Sequence, residues 1–412
     1  MFRRNSHESV VDALADSPAV LIHGARQTGK TTLARAIAEA PTAGRARRDL
    51  SLDDAATLAA AREDPQGFIT GLQGPVLIDE VQRAPGLFQA MKLVIDRNRV
   101  PGQFLLTGSA NVLTLPELSE SLAGRMDIVT LWPLSQGELL SRKERFIDRV
   151  FASAPLDFEP AGGSADLWGR MLTGGFPEVQ ERTRTERRDV WFGSYVTTIL
   201  QRDVRDIANI EGLTGLPRLL KLLASRASGL LNLADVSRSV SVPHTTLKRY
   251  MALLEATFLL RLIPAWSTNL GKRLVKAPKV TLIDCGLMAS LLGLDQERLQ
   301  REGGLRGSLL ESFVTMELTK QATWSHVRPD LYHYRTSAGQ EVDLLLEDRG
   351  GDLVGIEIKA NATVGHRDFN GLRSLAEATG ARFKRGIVLY TGTESLGFGE
   401  PYSALPVASV WA

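Results

Sequence analysis

The sequence predicts an α/β fold that begins with a parallel sheet covered by helices. In the first third of the chain, apolar stretches of strand length alternate with amphipathic helical stretches, a pattern typical of such sheets. The length of 412 residues exceeds what one ordinary core organises. We therefore expect several domains: an α/β core at 1–135, a helical region at 136–210, a basic helical region at 211–278 and a mixed α/β region at 279–412.

Hydrophobic periodicity places the individual elements. In the core it predicts strands at 20–23, 75–79, 104–107 and 126–131, with helices at 31–39 and 88–96. In the last region it predicts a strand at 279–283, a helix at 308–320, two strands joined by a turn at 348–351, a helix at 367–378 and a strand at 386–390.

A glycine-rich loop joins the first strand to the first helix of the core. Its sequence, Gly24-Ala25-Arg26-Gln27-Thr28-Gly29-Lys30-Thr31, followed by Thr32, matches G-x-x-x-x-G-K-[ST] at every position. In that context the loop N–H groups and the helix N-terminus bind the phosphates of ATP, Lys30 bridges the β- and γ-phosphates, and Thr31 ligates Mg²⁺. A chance glycine-rich turn is the alternative.

Two acidic residues end the second predicted strand. Asp79 is positioned to hold Mg²⁺, directly or through water, and Glu80 to act as general base toward the attacking water. Two ordinary acids at a strand end are the alternative, which the preceding loop motif disfavours.

Three further residues are candidates for contact with the γ-phosphate. Thr107 and Ser109 end a neighbouring strand and could sense that group, although a plain polar turn explains them equally well. Arg125 suits a finger that reaches the nucleotide of a neighbouring subunit. A structural salt bridge is the competing interpretation of Arg125.

The middle of the chain is rich in basic residues. Between 216 and 279, eleven Lys or Arg face only two acids, which indicates either a polyanion-binding segment or a solvated basic face. Two predicted helices, 233–240 and 244–254, flank a tight turn, and a strand-like stretch follows at 259–265, so the segment resembles a winged-helix domain. We predict that it binds DNA, with protein docking as the alternative. The predicted phosphate contacts are Lys248, Arg249, Lys272 and Arg273.

The last region carries acids and a lysine on two neighbouring strands. Asp343 lies on one, and Glu357 and Lys359 lie on one face of the next. With Glu311 on the preceding helix, this pattern resembles the PD-(D/E)xK nuclease fold and, within it, Holliday-junction resolvases. The resemblance implies two acids that hold a metal ion and a lysine that stabilises the transition state. An inactive nuclease fold and a half-buried hairpin are the alternatives.

The N-terminal motifs resemble those of AAA-type ATPases. More closely, the chain resembles a bacterial and archaeal family that joins such a module to a C-terminal domain of unknown function. The motifs that carry this resemblance are Gly24–Thr31, Leu52–Asp54, Ile78–Gln82, Leu106–Ser109, Gly124–Arg125, Pro133–Glu138, Gly174–Glu178 and Arg202–Val204. It implies an ATPase that assembles into an oligomer, which could be a hexameric ring. The helical pattern at 136–210 fits a lid on the ATPase core at 1–135.

Composition favours the cytoplasm. No apolar run reaches the roughly 20 residues that a membrane helix needs, and the N-terminus lacks the apolar core of a signal peptide. The single cysteine, Cys285, excludes an internal disulfide and indicates a buried thiol.

Taken together, the sequence predicts an ATP- and Mg²⁺-dependent, DNA-processing oligomer that acts on duplex or branched DNA. Two alternatives stay open: a nucleotide-dependent signalling or defence switch, and an ATPase scaffold that docks a protein independently of DNA. A strong stimulation of turnover by DNA separates the first hypothesis from both alternatives.

Overall fold

The chain forms two compact units in the computed structural model. The structure describes residues 2–39, 46–109, 112, 122–156, 158, 166–204, 215–269, 271, 273, 276–336 and 338–412. The N-terminal unit is formed mainly by Met1–Leu134, and the C-terminal unit by most of the chain from Ser135 to Ala412.

The N-terminal unit is built on a five-stranded parallel sheet in the order β2-β3-β4-β1-β5. The predicted parallel sheet is thereby confirmed. Its helices are α1 (His7–Asp16), α2 (Lys30–Glu39), α3 (Ala55–Glu63), α4 (Pro65–Thr70) and α5 (Gly86–Arg97), and its strands are β1 (Ala19–His23), β2 (Arg48–Ser51), β3 (Val76–Asp79), β4 (Phe104–Gly108) and β5 (Met126–Thr130).

Strand alternation divides the core of this unit between the two faces of the sheet. Ala19 and Leu21 belong to a cluster with the apolar side chains of α3, α4 and α5. Val20 and Ile22, on the opposite face of β1, pack with α1 and α2. Because both faces are covered, β1 and β4 are buried along their whole length.

The C-terminal unit combines many helices with a six-stranded mixed sheet. Its helices are α6 (Gln136–Leu139), α7 (Phe146–Phe151), α8 (Leu167–Thr173), α9 (Pro177–Gln180), α10 (Thr185–Thr198), α11 (Leu216–Ser225), α12 (Leu233–Val240), α13 (His244–Ala256), α14 (Cys285–Leu292), α15 (Gln296–Arg301), α16 (Gly303–Ala322) and α17 (Asn370–Thr379). Its strands are β6 (Leu260–Ile263), β7 (Lys279–Leu282), β8 (Asp330–Arg335), β9 (Glu341–Glu347), β10 (Leu353–Lys359), β11 (Phe383–Tyr390), β12 (Leu396–Gly397) and β13 (Tyr402–Pro406). A π-helical turn, Ile199–Asp203, follows α10.

The large sheet has the order β12-β13-β11-β10-β9-β8. Strands β8, β9 and β10 form an antiparallel meander. Strand β11 pairs in parallel with β10, and β13 pairs in parallel with β11. The turn predicted at 348–351 joins β9 to β10, as expected. Helix α17 crosses from β10 to β11, and its Leu372 and Leu375 pack on the sheet. The order of elements from α16 to β11 is therefore α-β-β-β-α-β.

Helices α12 and α13 are joined by a tight turn at Ser241, which has a left-handed φ of 56°. The Ser237 hydroxyl donates to the carbonyl of Val242 at 2.6 Å and closes that turn. The antiparallel pair β6–β7 follows, with Ile263 opposite Lys279.

Two of the motifs that support the family resemblance have structural roles in this unit. Asp284 is fully buried, caps α14 through the N–H of Leu287 and accepts the N–H of Gly175 at 2.6 Å. Ser135 and Glu138 form a capping box at α6. Cys285 is buried, as predicted, and burial raises the pKa of its thiol.

Within the described residues, no helix is both long and apolar enough to cross a membrane.

The contact between α17 and β9 leaves no room for a side chain at Gly371. A Cβ there would lie 1.8 Å from the carbonyl oxygen of Glu341. We expect Gly371→Ala to lower the free energy of unfolding by about 3 kcal/mol. Gly193→Ala is the matched control, because Gly193 is an exposed helical glycine with open space around it. That variant should match the parent or gain up to about 1 kcal/mol. Urea unfolding of both variants measures the difference, and equal midpoints would contradict the close contact.

Candidate functional site

The glycine-rich loop runs from the carboxyl end of β1 into α2. Gly24 has a φ of +151°, and a Cβ at this position would lie 2.2 Å from the carbonyl oxygen of Leu131. Gly29 has a φ of +89° and Gln27 a φ of 60°. The sequence therefore places glycine at the two loop positions where backbone conformation or space excludes other residues.

Lys30 is buried and turned onto its own loop. Its ammonium donates to the carbonyls of Ala25 at 2.8 Å and Gly24 at 3.2 Å. The Thr28 hydroxyl also donates to the Ala25 carbonyl, at 2.9 Å. The loop thus keeps a positive charge at the N-terminus of α2, where backbone N–H groups favour a phosphate. Of the remaining predicted loop residues, Arg26 is half-buried and Thr32 exposed.

The Asp79 carboxylate accepts hydrogen bonds from two threonine hydroxyl groups near the loop. Its Oδ1 accepts hydrogen bonds from Thr31, at 2.8 Å, and from Thr107. Asp79 and Thr107 are buried. A carboxylate beside a threonine hydroxyl supplies the oxygen ligands that Mg²⁺ prefers, so the residues present fit that ion.

Glu80 follows Asp79 in a left-handed conformation, with a φ of 58°, and its N–H donates to the Thr107 hydroxyl at 3.1 Å. Gln82 holds the side chain of Glu80: its Nε2 donates to Glu80 Oε2 and to Ser109 Oγ, the latter at 2.6 Å. The role of Gln82 was missed in the sequence analysis, although the residue belongs to the Ile78–Gln82 motif.

Arg4 is a second residue that the sequence analysis missed. Its guanidinium donates to the carbonyls of Thr28 at 2.6 Å and Trp132 at 2.7 Å, and the residue is 8% exposed. Arg4, which lies outside the motif, therefore connects the glycine-rich loop to the backbone at Trp132. The sequence around Arg4 does not predict this contact, because its partners lie 24 and 128 residues away along the chain.

Arg125 pairs with Asp96 on α5 in this structure. Its Nε lies 2.6 Å from Asp96 Oδ1, and its second nitrogen lies 3.1 Å from Oδ2. This is the salt bridge weighed as the alternative. The action of Arg125 on a neighbouring subunit stays a prediction.

The predicted phosphate contacts that the structure describes differ in their exposure. Lys248 and Arg249 are exposed on α13, in agreement with a binding surface. Arg273 is instead paired with Glu347 at 2.6 and 3.0 Å, and only 11% of its side chain is exposed. Because its guanidinium is used inside the protein, the prediction that it contacts phosphate is corrected. Lys272 lies outside the described residues.

The predicted acids of the last region do come together. Glu311 on α16 and Asp343 on β9 both lie within hydrogen-bond distance of one group, the ammonium of Lys279. Glu357 accepts a hydrogen bond from Lys359 at 2.8 Å. Lys279 was counted in the sequence analysis only as part of the basic segment, so its place in this cluster is new.

Burial and the neighbouring charges both shift the pKa values in this cluster. Burial and the charge of Asp343 raise the pKa of Glu311 to about 8 and that of Glu357 to about 7. Burial alone would lower the pKa of Lys279, but the carboxylates of Glu311 and Asp343 outweigh it and raise that pKa. The cluster therefore stabilises a buried cation.

Family models match three parts of the chain. An AAA domain matches residues 16–140, a domain of unknown function, DUF8612, matches 164–298, and another, DUF4143, matches 306–410. The N-terminal unit therefore contains an AAA-type P-loop ATPase domain, which confirms the corresponding prediction.

Two curated proteins are similar over most of their length. They are the uncharacterized proteins Rv2008c of Mycobacterium tuberculosis and Mb2031c of Mycobacterium bovis. Each is 31% identical over 364 residues, which cover 88% of this chain and 74% of the relative.

Among solved structures, the chain is similar to AMPPCP-bound DnaA from Aquifex aeolicus, with 15% identity, a TM-score of 0.30 and coverage of 60% of this chain and 86% of that one. A tetratricopeptide-repeat Signal Transduction ATPase with Numerous Domains from Pyrococcus horikoshii shows 12% identity, a TM-score of 0.26 and coverage of 77% and 45%.

The contacts of Gln82 generate a prediction for turnover. We expect Gln82→Ala to lower kcat for ATP about tenfold to a hundredfold with little change in KM, because Glu80 loses the partner that holds its carboxylate. Gln89→Ala, on the exposed face of α5, is the matched control. Steady-state kinetics measure both variants, and a parental kcat for Gln82→Ala would show that the contact is dispensable.

Proposed function

We propose that this chain, which belongs to the same protein family as Rv2008c and Mb2031c, hydrolyses ATP in its AAA domain and uses that hydrolysis to act on DNA. The observation that carries the ATPase part is the assembly of Lys30, Thr31, Asp79 and Glu80 at one edge of the parallel sheet.

Each residue of this edge has a role that follows from its chemistry. The loop N–H groups and Lys30 bind the phosphates, while Thr31 and Asp79 would hold Mg²⁺. That ion supplies positive charge against the phosphate oxygens. Glu80 accepts the proton of the attacking water, and Gln82 holds its carboxylate in place. Thr107 fixes Asp79 through a hydrogen bond.

Two substitutions separate binding from hydrolysis. Lys30→Ala should abolish turnover and weaken ATP binding, because it removes the charge opposite the phosphates. Glu80→Gln should keep ATP binding and lower kcat by about 100-fold or more, since an amide accepts no proton. Arg97→Ala, an exposed site on α5, is the control. Binding of a fluorescent ATP analogue and phosphate release measure the two steps. Parental turnover in Glu80→Gln would overturn the assignment of the base.

The DNA part of the proposal is supported by the helices and hairpin that follow α11. Helices α12 and α13, the tight turn at Ser241 and the β6–β7 pair have the order of a winged helix. Lys248 and Arg249 are exposed on α13, the second helix of this arrangement. We propose duplex or branched DNA as the ligand, bound by a homo-oligomer that could be a hexameric ring with Arg125 acting between subunits.

A salt titration tests this surface. Lys248→Ala combined with Arg249→Ala should weaken duplex binding and reduce the slope of log K against log[salt] by about two, because each phosphate contact releases roughly one counterion. Arg301→Ala on α15 removes an exposed arginine outside the basic segment and should leave the slope unchanged. An unchanged slope in the double variant would favour protein docking.

Protein docking is the second candidate, and an apolar groove supports it. Leu230, Met251, Leu262 and Pro278 line this groove beside Lys248. ATPase rates measured without DNA and with single strands, duplex or a four-way junction separate the candidates. Strong stimulation by DNA supports the motor, whereas insensitivity to DNA supports docking.

The C-terminal unit has the order α-β-β-β-α-β from α16 to β11, and the four residues on which the resemblance to PD-(D/E)xK nucleases rests converge as described. We propose a nuclease-like domain on these grounds. Metal binding by this domain is a separate question, because the ammonium of Lys279 lies among its acids.

A further inference from the structure

Lys279 lies at the centre of the C-terminal acid cluster. Its side chain is 5% exposed, and its Nζ lies 2.7 Å from Glu311 Oε1, 3.0 Å from Glu341 Oε1 and 3.2 Å from Asp343 Oδ1. An ammonium group has three N–H donors. The ammonium therefore donates hydrogen bonds to Glu311 and Asp343 and forms an ion pair with Glu341, so three carboxylates surround the cation.

Further oxygens of the cluster have partners within the chain. Asp343 Oδ2 accepts the backbone N–H of Ile358 at 3.0 Å, and Glu357 Oε1 accepts from Lys359. Arg335 lies 3.4 Å from the second oxygen of Glu341. Each of these four carboxylates thus has at least one cation or N–H group of the chain as a partner, while Glu357 Oε2 is buried without a hydrogen bond.

The backbone holds Lys279 in this place. It lies in β7, opposite Ile263 of β6, and forms an isolated bridge with Leu230 on its other side. Its side chain extends from a strand paired on both sides, so the ammonium does not depend on a loop for its position.

A divalent ion does not fit the cluster in this state. An ion bound between Glu311 and Asp343 would lie within a few ångströms of the ammonium, where two buried cations repel each other strongly. Among the described residues, no group of three or more His, Cys, Asp or Glu side chains is arranged to hold a metal ion, in agreement with this argument.

We infer that Lys279 is the resident cation of the acid cluster, and that a divalent metal ion binds there only after the Lys279 ammonium has been withdrawn or removed. The inference rests on the proposed nuclease-like arrangement, and it is independent of ATP hydrolysis and of DNA binding. It assigns to Lys279 the neutralising role that a metal ion has in a metal-dependent nuclease.

Mn²⁺ binding to the full chain tests the inference. The free-ion signal in electron paramagnetic resonance is titrated without nucleotide, in an Asp79→Asn background that removes the acid of the P-loop site. Lys279→Met should gain one bound Mn²⁺ with an affinity at least tenfold above any binding by the background protein. Adding Asp343→Asn to Lys279→Met should abolish the gain. Lys279→Arg keeps the positive charge and should gain nothing.

The thermal melting temperature shows whether each variant is folded. Lys279→Met should melt at a lower temperature than its background, because three carboxylates lose the cation that they share, and Mn²⁺ should restore part of the loss. A folded Lys279→Met protein that gains no Mn²⁺ would overturn the inference.

Asp343→Asn with Lys279 intact gives a second measurement, which holds even if Lys279→Met fails to fold. The inference expects this variant to bind as little Mn²⁺ as its background. If the background protein binds Mn²⁺ and Asp343→Asn abolishes that binding, the cluster is already a metal site and the inference fails. ATPase activity and DNA affinity enter none of these measurements, so the proposed function stands or falls separately.

Discussion

A single carboxylate oxygen, Oδ1 of Asp79, connects the parts of the nucleotide site. It accepts one hydrogen bond from Thr31 at the start of α2 and one from Thr107 at the end of β4, while Asp79 itself ends β3. Three elements that are distant in sequence are thereby held in register at one edge of the sheet. The Thr107 hydroxyl in turn accepts a hydrogen bond from the N–H of Glu80. The backbone of the proposed base is therefore held by the same threonine that contacts Asp79.

In the C-terminal unit, several buried charged side chains have partners inside the unit. Lys320 pairs with Glu317 inside the unit, Asp284 joins α14 to Gly175, and Lys279 neutralises the acid cluster. Removing one partner from such a buried set leaves a charge without compensation, which costs several kcal/mol. Of these contacts, that of Asp284 links α14 to Gly175, and those of Lys279 link β7 to α16 and β9.

Features of the fold and the site could be predicted where a short stretch of sequence encodes them, and not where they depend on contacts between distant residues. The loop residues Gly24–Thr31 and the acids Asp79 and Glu80 were predicted because short contiguous motifs encode their chemistry. Strand β2 was missed, because it is an edge strand of four residues, two of them exposed, with no apolar alternation. Arg4 and Lys279 could not be assigned, since each acts through partners far away in sequence. Arg273 was misjudged because a charge count ignores Glu347.

The burial of Cys285 has a practical consequence for studying movement in this protein. It is the chain's single cysteine, it lies in the interior and its thiol is held in the protonated form by burial. Thiol-directed reagents attack the thiolate, so this residue should react slowly in the folded protein. A cysteine introduced on the exposed face of α13 or α5 would then carry a fluorophore or spin label selectively. The native sequence thus offers a nearly silent background for spectroscopic measurement of how either unit responds to nucleotide.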